Sequence, residues 1–152
     1  MRAGDEVPDF ELPDQQGTPR KLSDFLAQGP VVLFFYPAAM TPGCTAESCH
    51  FRDLKAEFEA VGAQRVGISA DPVEKQKKFA DKYGFDYPLL SDPDATVARI
   101  FGVNRNFSPL PTKRTTFVIG TDSRIVEVIK SEVRMSVHAD KALDALKTPA
   151  GA

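Results

Sequence analysis

The stretch Val31-Val32-Leu33-Phe34-Phe35-Tyr36-Pro37-Ala38-Ala39-Met40-Thr41-Pro42-Gly43-Cys44 sets the architecture. Its first six residues form a continuous β-branched and aromatic run bounded by Gly29-Pro30 and Pro37, as expected of a central strand buried on both faces. From Cys44 onward apolar side chains recur at Cys44, Phe51, Leu54, Phe58 and Val61, and Arg52, Asp53, Lys55, Glu57 and Glu59 cover the remaining face. That spacing predicts an amphipathic helix closed by Gly62. A buried strand feeding such a helix is the building unit of an α/β fold.

Working outward, residues 9–22 carry Phe10 and Leu12, the turn cluster Pro13-Asp14-Gln15-Gln16-Gly17 and then Pro19 through Leu22, which reads as a short N-terminal β-hairpin at an edge. Residues 64–69 read as a second strand, followed by Asp71-Pro72, a cap and first-position proline that open a helix ending near Tyr83-Gly84. A short strand at 87–90 precedes Ser91-Asp92-Pro93, the same start signal, and a helix through Val97, Ile100 and Phe101 that Gly102 stops. Residues 103–113 read as an irregular loop, 115–119 and 125–129 as a hairpin around Thr121-Asp122-Ser123-Arg124, and 139–146 as a last helix. The order demands a central mixed β-sheet flanked by helices on both faces, with a right-handed first crossover.

Composition sets the outer bounds. A chain of 152 residues is predicted to be a single domain spanning 1–152, and 42% hydrophobic with 26% charged residues disfavours disorder. A net charge of −2 without a basic patch argues against nucleic acid and against an anionic membrane surface as partners. The polar start Met1-Arg2-Ala3-Gly4-Asp5-Glu6 lacks the apolar core of a secretory signal, and the run 31–36 is far shorter than the about 20 residues of a membrane span. The expectation is a cytoplasmic protein, and the absence of a long apolar seam favours a monomer. Two nearby cysteines then read as redox chemistry or metal binding before a structural bridge.

With Thr41 as N-cap and Pro42 as the first helical residue, Cys44 falls at the third position, where the cap hydroxyl would meet its N–H. Free N–H groups and the positive end of the helix dipole favour a thiolate there. Alone, Cys44 would be read as a buried small hydrophobe. As a thiolate it could attack a disulfide, a carbonyl or a peroxide. A cysteine protease needs a histidine base, and neither His50 nor His138 is marked as one; both read as structural, as do the phenylalanines. Two cysteines and two scattered histidines give no zinc pattern. A peroxide needs donors that hold two oxygens and stabilise charge on the departing one. Thr41, the N–H groups of Gly43 and Cys44, and Arg114 at the start of strand 115–119 supply that set.

At Pro37, Thr41 and Cys44 the chain resembles the peroxiredoxins, thiol peroxidases with a thioredoxin-like fold. The fuller run Phe35-Tyr36-Pro37, Thr41-Pro42-Gly43-Cys44-Thr45, Glu47 and Cys49 is similar to the Q-type, or bacterioferritin comigratory protein, subfamily. The likeness extends through Gly67-Ile68-Ser69 with Asp71, Pro88-Leu89-Leu90-Ser91-Asp92, Phe101-Gly102-Val103 and Arg114-Thr115-Thr116-Phe117. The resemblance implies that Cys44 is oxidised by peroxide to a sulfenic acid. It further implies that Cys49 resolves this as an intramolecular disulfide, and that thioredoxin or a similar thiol carrier reduces it. By the same resemblance Thr41 hydrogen-bonds peroxide and thiolate, Arg114 orients both, Pro37 shields the thiolate, and Glu47 matches a family position of unassigned role. No cofactor is implied. Many Q-type sequences carry histidine where this chain has Gln76, a position expected on a surface helix and without effect on the chemistry.

Two rivals follow from the same residues: a thioredoxin-like disulfide exchanger and a non-enzymatic redox-sensing interaction module. Exchangers use Cys-x-x-Cys, whereas Cys44 and Cys49 are five apart, and neither rival requires Arg114. Phe107 and Leu110 are candidates for an apolar rim that favours bulky hydroperoxides. A five-residue separation along one helix puts the two Cα atoms about 8.7 Å apart, beyond the roughly 4.4–6.8 Å of a disulfide. The implied pairing therefore requires the helix around residues 45–50 to unwind.

Overall fold

The computed structural model describes residues 1–104, 112–131, 134 and 136–147. Two short strands, β1 (Glu11–Pro13) and β2 (Pro19–Lys21), form the expected antiparallel hairpin with Leu12 opposite Arg20. The chain continues through α1 (Leu22–Leu26), β3 (Val31–Phe35), α2 (Pro42–Asp53), α3 (Lys55–Ala60), β4 (Gln64–Ser69) and α4 (Val73–Tyr83). It then passes through β5 (Leu89–Ser91), α5 (Thr96–Phe101), β6 (Thr115–Ile119), β7 (Ile125–Lys130) and α6 (Ser136–Lys147). The central sheet has the order β5-β4-β3-β6-β7, with β3 parallel to β4 and antiparallel to β6. Among the described residues no helix is long and apolar enough to cross a membrane.

The strand read as buried on both faces is so: Val31 through Tyr36 are each at most 1% exposed. Because successive side chains point to opposite faces, Val31, Leu33 and Phe35 enter a core with α1 and α5, and Val32, Phe34 and Tyr36 enter a second core with α2, α3, α4 and α6. Phe34 stacks on Phe51 with centroids 4.2 Å apart and an interplanar angle of 8°, which fixes α2 against β3. Gly67 of β4 admits no larger residue under this stack, since an added Cβ would lie 2.9 Å from Phe34 Cζ and 2.8 Å from Leu89 Cδ2.

Four local expectations are corrected. The helix expected over 44–61 is two, divided at Leu54, because the buried Arg65 guanidinium donates to the terminal carbonyl of Phe51 at 2.9 Å and ends α2 there. Asp71 does not cap α4; its carboxylate turns back to the Ala39 N–H. Asp92 does cap α5, accepting from Val97 and Ala98 at 3.2 and 2.9 Å, but from further upstream than expected. The strand expected over 87–90 is shifted to Leu89–Ser91, with the Tyr87 ring packed instead in the aromatic core.

Candidate active site

The C-terminal end of β3 and the start of β6 lie side by side, Phe35 opposite Thr115. This register brings the loop after β3 and the residue before β6 to the same end of the two central strands. Pro37 is buried at the loop's start. Met40 turns the chain in a left-handed conformation, φ 69°, rare for a residue with a side chain and a marker of functional strain. Thr41 is the N-cap of α2 and Pro42 its first residue, as the sequence predicts.

The Thr41 side chain, however, does not cap. The turn at Met40 presents the Ala38 carbonyl, and the Thr41 hydroxyl donates to it at 2.8 Å rather than accepting from Cys44. Having given its proton to Ala38, this oxygen faces any ligand as an acceptor. The first helical bond runs from Thr45 N–H to Thr41 O at 2.9 Å, so the N–H groups of Gly43 and Cys44 precede the ladder.

Cys44 sits in the first turn of α2 with no exposed surface. The Arg114 Nη2 donates to its Sγ at 3.3 Å, while Nη1 donates to Glu47 Oε1 at 2.8 Å. Cys44 and Glu47 are three residues apart on one helix face, which lets one planar guanidinium bridge both. Burial opposes the charge of Arg114, but the neighbouring Glu47 and Cys44 more than restore it, so its proton is held more tightly than in free arginine. Glu47 is fully buried and contacts His138 of α6, Oε2 to Nδ1 at 3.6 Å.

Cys49 lies on the same helix α2, half-buried, and both cysteines are free thiols. Partial burial pushes the Cys49 thiol up from its ordinary value, against the opposing pull of Arg52. The structure therefore brings Cys44, Thr41, Arg114 and Pro37 to one end of the central strands and leaves Cys49 further along α2. Phe107 and Leu110 lie outside the described residues.

Two buried polar residues, Gln76 and His138, escaped the sequence reading. Gln76, expected at the surface, is fully buried: its amide donates to Ser69 Oγ and Leu90 O at 2.9 Å and accepts from the Tyr36 hydroxyl. Its spacing from Phe79 and Ala80 on the inner face of α4 was the available signal. His138, read as structural, stands behind Glu47, and His50 pairs with Asp140 at the surface at 2.8 Å. Among the described residues no group of three or more potential ligands could hold a metal ion.

Residues 3–128 match the model of the AhpC/TSA family. The solved structure of peroxidoxin BcpB from Mycobacterium tuberculosis is 64% identical, superposes with a TM-score of 0.93 and shares 97% of each chain. Peroxiredoxin Bcp of Escherichia coli K12 is 40% identical over 97% of this chain and 96% of its own length. A structure of the Xanthomonas campestris bacterioferritin comigratory protein, described for its alkyl peroxide reduction activity, has a TM-score of 0.83 at 34% identity over 91% of this chain and 90% of that one. A thiol at a helix start beneath a paired arginine, carried on a fold shared along nearly the whole chain with these proteins, places the chain in the AhpC/TSA family as a peroxiredoxin of the Q, or bacterioferritin comigratory, type.

Proposed function

We propose that this peroxiredoxin reduces hydrogen peroxide and organic hydroperoxides through Cys44 and Cys49. The Cys44 thiolate attacks the near peroxide oxygen, the O–O bond breaks, and the leaving oxygen departs as water or alcohol after taking a proton. Cys44 is left as a sulfenic acid. Arg114 stabilises the charge that develops across sulfur and oxygens, Thr41 accepts from the peroxide O–H, and Pro37 keeps water from the sulfur. Cys49 then condenses with the sulfenic acid, releasing water and forming a disulfide, which thioredoxin or a similar dithiol carrier reduces at the expense of its own oxidation.

The observation that carries this reading is the single guanidinium shared between Cys44 Sγ at 3.3 Å and Glu47 Oε1 at 2.8 Å. Disulfide exchange would need a protein disulfide to reach a sulfur with no exposed surface, which takes a far larger opening than a peroxide requires. Alkyl peroxide reduction by the Xanthomonas campestris relative supports extension to organic substrates. The cycle requires reduced thiols at rest, which fits the cytoplasm, and one chain supplies every group named, which fits a monomer. The test is NADPH consumption in a coupled thioredoxin assay with hydrogen peroxide. Wild type should turn over and Cys44→Ser should not; turnover by Cys44→Ser would overturn the assignment.

A further inference from the structure

Helix α2 has two tasks that oppose each other. Its intact first turn sets Cys44 against Arg114 for the peroxide step, and the same turns must open before Cys49 can reach Cys44. The contacts that hold the helix shut mark out the segment that moves. Tyr87 donates to the Ser48 carbonyl at 2.7 Å. Arg65, itself fixed by Asp86 at 2.9 Å, donates to the Phe51 carbonyl at 2.9 Å, and the Phe51 ring is stacked on Phe34. Opening from the N-terminus of α2 therefore breaks one hold at Ser48 and meets a firmer anchor at Phe51.

Inside that segment one side chain works the other way. Ser48 is fully buried on the helix face that carries Cys44 and Phe51. Its hydroxyl oxygen is buried too and has no hydrogen-bond partner among the described residues. A helical serine can bond to the carbonyl four residues before it, but this one makes no such bond. A hydroxyl buried without a partner has given up its hydration with nothing in exchange, a cost that is relieved when the helix opens and water reaches it. Ser91 Oγ of β5 is buried in the same condition, but no step of the cycle requires that strand to move. The closed α2 bears the cost of Ser48 and the open one does not, and the Ser48 hydroxyl makes no bond to the Cys44 sulfur.

We propose that Ser48 is a positioning residue for resolution: its unpaired hydroxyl destabilises the closed α2 and so raises the fraction of molecules in which Cys49 can reach Cys44. The proposal rests on the Cys44–Cys49 cycle, but its first test uses no peroxide. Amide hydrogen exchange of the reduced wild-type protein is compared with Ser48→Ala, which removes one oxygen and keeps the shape, and with Thr45→Ala at a half-buried position of the same helix. Alanine is the better helix former at both positions, which alone slows exchange about two- to threefold. Ser48→Ala should slow exchange of residues 45–51 about tenfold or more. Equal gains in the two variants, or lost protection in Ser48→Ala, overturn the proposal.

The second test is oxidation by one equivalent of hydrogen peroxide, followed by mass spectrometry of quenched samples. Ser48→Ala should oxidise Cys44 at the wild-type rate and form the Cys44–Cys49 disulfide more slowly, by the same factor that slowed exchange. In excess peroxide more of its Cys44 should reach sulfinic acid. A serine that served only the packing of α2 would change stability and leave that partition alone, so disulfide formation at the wild-type rate in a tightened helix also overturns the proposal. A wild-type protein whose cysteines peroxide does not oxidise would remove the peroxidase reading, and the exchange comparison would still decide whether Ser48 loosens α2.

Discussion

The Asp71 carboxylate accepts the Ala39 N–H at 2.6 Å, tying the end of β4 to the loop that delivers Cys44. The same oxygen accepts from Ser69 Oγ at 2.7 Å, and Oδ1 pairs with Lys75 at 3.2 Å. A charged acceptor on a backbone N–H is worth about 1.5–3 kcal/mol, and it holds the left-handed turn at Met40 against its strain. Asp71→Ala is expected to lose about 1–3 kcal/mol of stability in urea denaturation and to slow single-turnover oxidation of Cys44. Asp71→Asn, which keeps an acceptor, should recover most of both. Wild-type oxidation kinetics in Asp71→Ala would show that the loop needs no such tether.

Arg114 and Glu47 separate stability from chemistry. Arg114→Ala strips the developing oxyanion of its donor, a loss of about 2–4 kcal/mol in the peroxide step by analogy with oxyanion-hole donors. It also leaves Glu47 charged and buried beside His138, which destabilises by roughly 3–5 kcal/mol. Adding Glu47→Gln should restore most of the stability and none of the rate. Stopped-flow oxidation together with thermal unfolding reads both quantities, and a double variant that regains the rate would remove Arg114 from the chemistry.

The sheet and its central strand were legible because burial on both faces leaves an uninterrupted apolar run, as at Val31 through Tyr36. Cys44 and Thr41 were singled out by a local helix-start pattern, whereas Pro37 was named on the family resemblance alone and Arg114, 70 residues from Cys44, on that resemblance and on its fixed charge. Gln76 and His138 were not, and Glu47 was named without a role, since each is a polar residue buried by tertiary partners that come from distant elements. Polarity reads as surface when those partners are unseen. The same reason misplaced the Thr41 hydroxyl and Asp71: local cap rules assign them to the nearest helix, but a loop folded back by Met40 offers other partners. The break at Leu54 depends on Arg65, which follows α3 in sequence and meets α2 only in the fold.

Cys49→Ser should oxidise once and stop. Without a resolving thiol the Cys44 sulfenic acid meets further peroxide and climbs to sulfinic acid. Mass spectrometry after excess hydrogen peroxide is expected to show a gain of two oxygens on Cys44 in the variant and a Cys44–Cys49 disulfide in wild type. A variant free of oxygen adducts would show that Cys49 is not what protects the intermediate.

Both cysteines lie in the regular helix α2, five residues apart, so their Cα atoms are about 8.7 Å from each other, too far for a disulfide at roughly 4.4–6.8 Å. Resolution therefore requires the first turns of α2 to open. The Tyr87 hydroxyl opposes this by donating to the Ser48 carbonyl at 2.7 Å, a latch on the turn between the two thiols. Its removal in Tyr87→Phe eliminates a net 0.5–1.5 kcal/mol or about that, so disulfide formation should accelerate by roughly 2- to 12-fold at unchanged peroxide attack. Proton linkage adds a pH signature. Burial in the closed helix raises the Cys49 thiol above its ordinary value, so the closed form holds this proton more tightly than the open one. The stabilisation of the closed helix is complete below the ordinary thiol value of 9.0 and fades as pH rises through the raised one. Opening is thus favoured above pH 9, and hydrogen exchange of residues 45–51 in the reduced protein, corrected for intrinsic rates, should lose protection there while that of β3 does not. Oxidation should expose the same amides at any pH. Protection that is equal in reduced and oxidised protein, with the disulfide confirmed by mass, would mean that Cys49 reaches Cys44 without opening the helix.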